Sequence, residues 1–215
     1  MGATQAGAAG GGQTRRAVLI GGAVLAGAGL AHEALTRLRG RPSVAEKPRV
    51  PGAVDFPGAR WIPASPANYR HANRPADYAV DRVVVHVTQG GYGGTVEVFQ
   101  DPAHQAAAHY VVRADGGVTQ MVRELDVAFH TGNRSWNERS VGVEHVGFVD
   151  RASSFTDAMY AASARLTATV CRRYGIPVDR EHVVGHAEVP GTDHTDPGRY
   201  WDWDRYLKLT RRAHG

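Results

Sequence analysis

Short β-branched runs alternate along this chain with glycine-rich breaks and one long apolar stripe at helical spacing. "RVVVHVT" (82–88) is apolar on both faces and stops at "QGGYGG", the pattern of a central strand, covered on both sides, that ends in a glycine loop. "AAHYVVRADGGVTQMV" (107–122) reads as a hairpin turning at Asp115-Gly116-Gly117. "SVGVEHVGFV" (140–149) alternates as a strand does, and "HVVGH" (182–186) is a further short strand. Over 155–174, Met159, Ala162, Leu166, Val170 and Tyr174 recur at helical spacing, with Gly175 and Pro177 as stop signals. Residues 95–105 suit another helix. Together these elements predict an α/β fold: a single domain with a mixed central β-sheet flanked by helices.

Composition narrows this picture. The 215 residues are 42% apolar and 21% charged, which excludes a disordered chain and allows one core of ordinary size. The net charge of +4 is unevenly placed. Residues 1–50 hold seven Lys/Arg against two Asp/Glu, whereas 51–215 hold 18 against 19. The domain itself is nearly neutral, so a phosphate-tracking surface has no support and no nucleic-acid partner is expected.

The N-terminal excess belongs to an address. A Gly/Ala-rich, acid-free start leads to the pair Arg15-Arg16, and fifteen uncharged residues follow, Ala17 to Ala31. That layout over residues 1–36 is of an export signal of the twin-arginine type. The apolar run is shorter than the roughly 20 residues that span a bilayer, so cleavage is favoured over a signal-anchor, and the membrane is involved only through this signal. Residues 37–60, rich in Arg, Pro and Gly, read as a linker, and 61–215 as the folded domain of a secreted or envelope protein, by default a monomer. The single cysteine, Cys171, has no intramolecular partner and sits in the apolar helical pattern, as a small buried hydrophobe.

Ten of the eleven histidines fall in the domain. His86 stands near the end of an apolar strand and shares a face with Val84 and Thr88, a place that suits a site or a hydrogen-bonded core histidine equally. His182 and His186 form H-x3-H, but in a strand four residues span roughly 13 Å, too far for one ion, so His182 is set aside. The loop after His186 turns at Pro190-Gly191 and can return Asp196 towards it. Two imidazoles and one carboxylate, His86, His186 and Asp196, make the ligand set of a catalytic zinc ion at the strand ends with one open position. Glu144, in mid-strand in "VGVEHVG", is the candidate general base. Its alternative is a buried ion pair with an arginine. His145 points to the opposite face and reads as structural.

These segments in order resemble the zinc-dependent N-acetylmuramoyl-L-alanine amidases of the amidase-2 type, over roughly residues 75–206. "VVVHVTQG" is similar to the first-ligand strand, "AAHYVVRADGGVTQMV" to the hairpin after it, and "VAFHTGN" with "RSVGVEHVG" to the H-x-G-N and G-[IV]-E segments. "VVGHAEVPGTDHTDPG" resembles the second-ligand loop and "WDW" the aromatic tail. The resemblance implies one Zn²⁺ and a peptidoglycan substrate cleaved between N-acetylmuramic acid and L-alanine, with Glu144 activating water. Many relatives place a lysine two residues before the aspartate ligand. Here that position is His194, expected to stabilise the transition state. The resemblance also suggests substrate contacts for His130 and Asn133, while His109 and Trp136 are further candidates. Two other readings are a non-catalytic peptidoglycan-binding module and an exported zinc hydrolase acting on the stem peptide. The first is opposed by the presence of Glu144 and Asp196, the second by the absence of any H-E-x-x-H motif.

Overall fold

The computed structural model describes residues 50–215, so the export signal expected over 1–36 and the first part of the linker, 37–49, lie outside the described residues. A mixed sheet is assembled from β1 (Arg60–Trp61), β3 (Arg82–Val87), β4 (Tyr110–Val112), β5 (Val118–Gln120), β7 (Ser140–His145) and β8 (Val183–Gly185). Their order is β1-β5-β4-β7-β3-β8. All neighbours run parallel except the β4–β5 hairpin. A separate antiparallel ladder pairs β2 (Tyr69–Arg70) with β6 (Val127–Ala128). Helices α1 (Tyr92–Gln100), α2 (Arg134–Arg139), α3 (Asp157–Tyr174) and α4 (Trp203–His214) complete the described fold. Among the described residues no helix is long and apolar enough to cross a membrane.

The alternation in β3 decides which side carries chemistry. Val83, Val85 and Val87 enter a core shared with Met159, Leu166 and Val170 of α3 and Tyr206 and Leu207 of α4. Val84 and His86 face the other way, where Val84 packs with Val184, Val189 and Trp136. The stripe on α3 is buried as its spacing predicts. The helix starts at Thr156, whose Oγ1 accepts from Met159 N at 3.1 Å, and ends at Gly175 in the left-handed conformation, φ 68°. Cys171 lies within that stripe, and burial pushes its thiol up to about 12, as befits a packing residue. His145 is structural: Nδ1 donates to the His86 carbonyl at 2.9 Å and Nε2 meets Ser163 Oγ at 2.7 Å. It ties β7 to β3 at the level of His86, from the helical side.

The domain begins earlier than the linker expectation for 37–60 allows. Asp55 is buried, and its carboxylate accepts from Arg123 Nε and Nη2 (3.0 and 2.9 Å), Gln120 Nε2 (2.6 Å) and Glu124 N (2.9 Å). Burial raises the Asp55 pKa, but the hydrogen bonds from Arg123, Glu124 N and Gln120 outweigh it and hold it below the ordinary value of 3.8. Asp55→Ala leaves Arg123 buried without its partner and is expected to cost about 3–5 kcal/mol. A depressed carboxylate stabilises above the unfolded value and ceases to as pH falls through the folded one. The melting-temperature gap between wild type and Asp55→Asn should therefore hold from neutral pH down to about 4 and shrink only in stronger acid. A gap unchanged below that pH would show that the ion pair contributes nothing.

Candidate metal centre

Three parallel strands place the functional side chains. His86 lies one residue before the end of β3, and on the adjacent β7 its register partner is Glu144. On the other flank β8 ends at Gly185 and delivers His186 into a tight helical turn, His186–Glu188. The loop then returns: Ala187 N donates to the Asp196 carbonyl at 2.9 Å. A Cβ on Gly185 would lie 2.6 Å from Pro197 Cδ, so only glycine lets the returning segment close this tightly.

The result is a buried cluster of His86, His186 and Asp196 whose donor atoms all lie within 4.8 Å of one another. Asp196 Oδ1 is 3.2 Å from His186 Nδ1, and Oδ2 is 3.4 Å from His86 Nδ1 and accepts from Val87 N at 3.2 Å. Burial opposes ionisation of Asp196, but hydrogen bonds and charge from His186 and His86 outweigh it and hold the carboxyl far below its usual range. His86 is pushed down, by burial first, and so favours the neutral, ligating form. Two imidazole nitrogens and an ionised carboxylate converging in a buried pocket fit a divalent ion of the zinc type. Among the described residues Glu144 has no arginine partner: its Oε2 is sealed from solvent without any hydrogen bond. Burial, and then the Asp196 charge, push its carboxyl up to about 8.

His194 stacks on His186 with ring centroids 4.0 Å apart, and its Nδ1 is 3.5 Å from Asp196 Oδ1. Its side chain remains 60% exposed, open to a ligand. His130 offers Nδ1 to His86 Nε2 at 2.9 Å and lies flat against β7, where a Cβ on Gly142 would be 2.6 Å from its ring. Both histidines, with Glu144, line a groove of about 1040 Å³.

The other expected substrate contacts do not line that groove. His109 is fully buried, its Nδ1 accepting from Gly142 N at 3.0 Å and its Nε2 meeting the buried Arg74 at 2.7 Å. Trp136 packs on Val84, Val184 and Val189, with the Arg82 guanidinium 4.2 Å from its ring centroid. Asn133 caps α2 by accepting from Trp136 N at 3.3 Å and donates to the Pro190 carbonyl at 3.2 Å. Sequence reasoning missed Arg70, Arg134, Phe99 and Phe129 on the groove wall. They come from four separate segments with no shared motif. One signal was available for the arginines, since both pair with Glu138, at 2.8 and 3.0 Å, and Arg134–Glu138 has helical i,i+4 spacing.

A family model described as N-acetylmuramoyl-L-alanine amidase matches residues 76–199. The chain is 36% identical over 181 residues to N-acetylmuramoyl-L-alanine amidase A of Achromobacter lyticus, covering 76% of this chain and 99% of that one. It is 30% identical over 179 residues to the 1,6-anhydro-N-acetylmuramyl-L-alanine amidase AmpD of Escherichia coli K12, covering 72% and 93%. Among solved structures, a selenomethionine derivative of AmpD superposes with a TM-score of 0.60 at 27% identity, covering 73% of this chain and 98% of that one. The family match and the shared fold agree: the chain belongs to the N-acetylmuramoyl-L-alanine amidase family.

Proposed function

We propose that this chain is a peptidoglycan hydrolase that cleaves the amide between N-acetylmuramic acid and L-alanine, with one Zn²⁺ held by His86, His186 and Asp196. The observation that carries the reading is the convergence of those three buried donors beside Glu144, a carboxylate with an unpartnered, sealed oxygen. When bound, the ion supplies a Lewis acid for the amide carbonyl, activates water, and adds the positive charge that favours ionised Glu144. Glu144 then accepts a proton as the water oxygen bonds to the lactyl carbonyl carbon. It returns that proton to the alanine nitrogen as the C–N bond breaks, leaving a carboxylic acid on the muramic acid, whose proton passes to the freed alanine amine or to solvent. His194 donates an N–H to the oxygen that gains charge, a role supported by its exposed position stacked on His186. The acid-free start with Arg15-Arg16 supports export to the envelope, where the polymer lies.

The test is digestion of purified peptidoglycan. New L-alanine amino termini should appear, cease with a chelator and return with Zn²⁺. Binding without product, or activity indifferent to chelation, contradicts the proposal. His194→Ala should lower kcat about 100-fold with metal content unchanged. An unaltered kcat, or loss of the ion, rejects its role.

A further inference from the structure

The hydrogen bonds behind His86 have a direction that can be read from one fixed point. Ser140 Oγ lies 2.6 Å from the Trp136 carbonyl oxygen, which can only accept, so the single hydroxyl proton of Ser140 is committed there. Two lone pairs at that separation would repel. Ser140 Oγ is also 3.1 Å from His130 Nε2 and can serve that nitrogen only as acceptor, so His130 carries its proton on Nε2. The other nitrogen, Nδ1, faces His86 Nε2 at 2.9 Å. Among the described residues His130 meets no carboxylate through either nitrogen, so nothing there favours a charged ring, and in the neutral ring Nδ1 accepts. His86 must then carry its proton on Nε2, which leaves the lone pair on Nδ1, the nitrogen that faces Asp196.

We infer that Ser140 and His130 are positioning residues that fix the tautomer and ring orientation of His86, so that Nδ1 is presented to a divalent cation before the cation arrives. The chain of donors runs His86 Nε2–H to His130 Nδ1, His130 Nε2–H to Ser140 Oγ, and Ser140 Oγ–H to the Trp136 carbonyl. Each part is held independently of the ion. Asn137 Oδ1 accepts from His130 N at 3.1 Å and from Thr131 N at 2.9 Å, which fixes the segment that carries the ring. Gly142 leaves room for the ring to lie flat on β7. Arg74 Nη1 donates to the Ser140 carbonyl at 2.7 Å and pins the start of the strand. Partners of this sort behind a ligating imidazole raise its basicity and spare it the cost of choosing a tautomer on binding. The inference rests on the reading of His86, His186 and Asp196 as the metal ligands and is independent of which bond the enzyme cleaves.

The test reads the imidazole directly. Nitrogen-15 NMR of histidine-labelled, metal-free protein should show His86 as the Nε2–H tautomer, and Ser140→Ala should give a mixture. Zn²⁺ affinity, measured by competition with a chromophoric chelator, should fall by about 10- to 100-fold in His130→Phe. His130→Asn, which keeps an acceptor near His86, should recover most of that loss. An Nδ1–H tautomer in the metal-free wild type overturns the inference. So does a folded His130→Phe variant with unchanged Zn²⁺ affinity, and if that variant does not fold the wild-type tautomer still decides. A wild type that shows the Nε2–H tautomer but binds no Zn²⁺ supports the relay and refutes the metal centre, so the two failures are distinct.

Discussion

Glu144→Gln is expected to lower kcat about 1,000-fold while the fold and the Zn²⁺ content stay as they are. The substitution keeps the shape of the side chain and removes only its ability to take a proton. Glu144 is not among the three clustered donors, so the ion should remain. Stability should move in the opposite direction from activity, because one oxygen of the wild-type carboxyl, Oε2, is sealed without a partner and its burial is unfavourable. The metal-free protein sharpens this point. There the folded carboxyl is raised from 4.5 to about 8, so between those values the folded state binds more protons than the unfolded one. Stability then falls as pH rises through that window, and the effect is complete above the folded value. Metal-free Glu144→Gln should match wild type near pH 4.5 and melt progressively above it towards pH 8. A variant that keeps its activity, or a melting difference flat across that window, would remove Glu144 from the proton-transfer role.

Asp196→Ala should abolish the activity by a different route, through loss of the ion. Asp196 carries the only carboxylate among the three clustered donors and bridges the other two, at 3.2 Å from His186 and 3.4 Å from His86. Removing it is expected to weaken Zn²⁺ binding by more than the roughly 100-fold seen when an outer partner of a ligand is lost. It also strips the buried Val87 N–H of its acceptor, a cost of about 1–3 kcal/mol. The metal-free melting temperature should therefore fall as well. Asp196→Asn keeps an oxygen for Val87 and should recover much of that stability without recovering the affinity. Residual activity in Asp196→Ala should be insensitive to chelators, whereas Glu144→Gln should bind Zn²⁺ as tightly as wild type. The two variants thus separate holding the ion from using it, and a metal-replete Asp196→Ala would contradict the ligand assignment.

Much of this was open to a reader of the sequence, for reasons that particular residues show. The β-branched runs of β3 and β7 and the stripe on α3 are long enough for their period to be read, and period-two alternation puts His86 and Glu144 on the face away from the helical core. The turn residues Pro190-Gly191 announced a loop that can bring Asp196 back to His186. β1, β2 and β6 have two residues each, too few for any period. Helix α4 carried usable signals, with Asp202 accepting from Arg205 N at 2.9 Å as its cap and Tyr206, Leu207 and Thr210 buried. Those signals were overshadowed by the aromatic "WDW" run that opens it. The failures at the site are failures of burial. His109 belongs to Arg74 and Trp136 to Val184 and Val189, residues remote in sequence that only the tertiary fold brings into contact. Asp55 was lost to the linker for the same reason, since its partners lie 65 or more positions away.

If this site directs water to the carbonyl of the muramyl–alanine amide, the oxygen of that water ends on the muramic acid. Hydrolysis of a defined N-acetylmuramoyl-peptide in heavy-oxygen water, followed by mass spectrometry of both products, shows where it goes. One heavy oxygen is expected in the lactyl carboxylate of the muramic acid, with an unlabelled peptide bearing a free L-alanine amine, and the same products about 1,000-fold more slowly in Glu144→Gln. Heavy oxygen in a carboxylate of the stem peptide, with the muramyl–alanine bond intact, would contradict it.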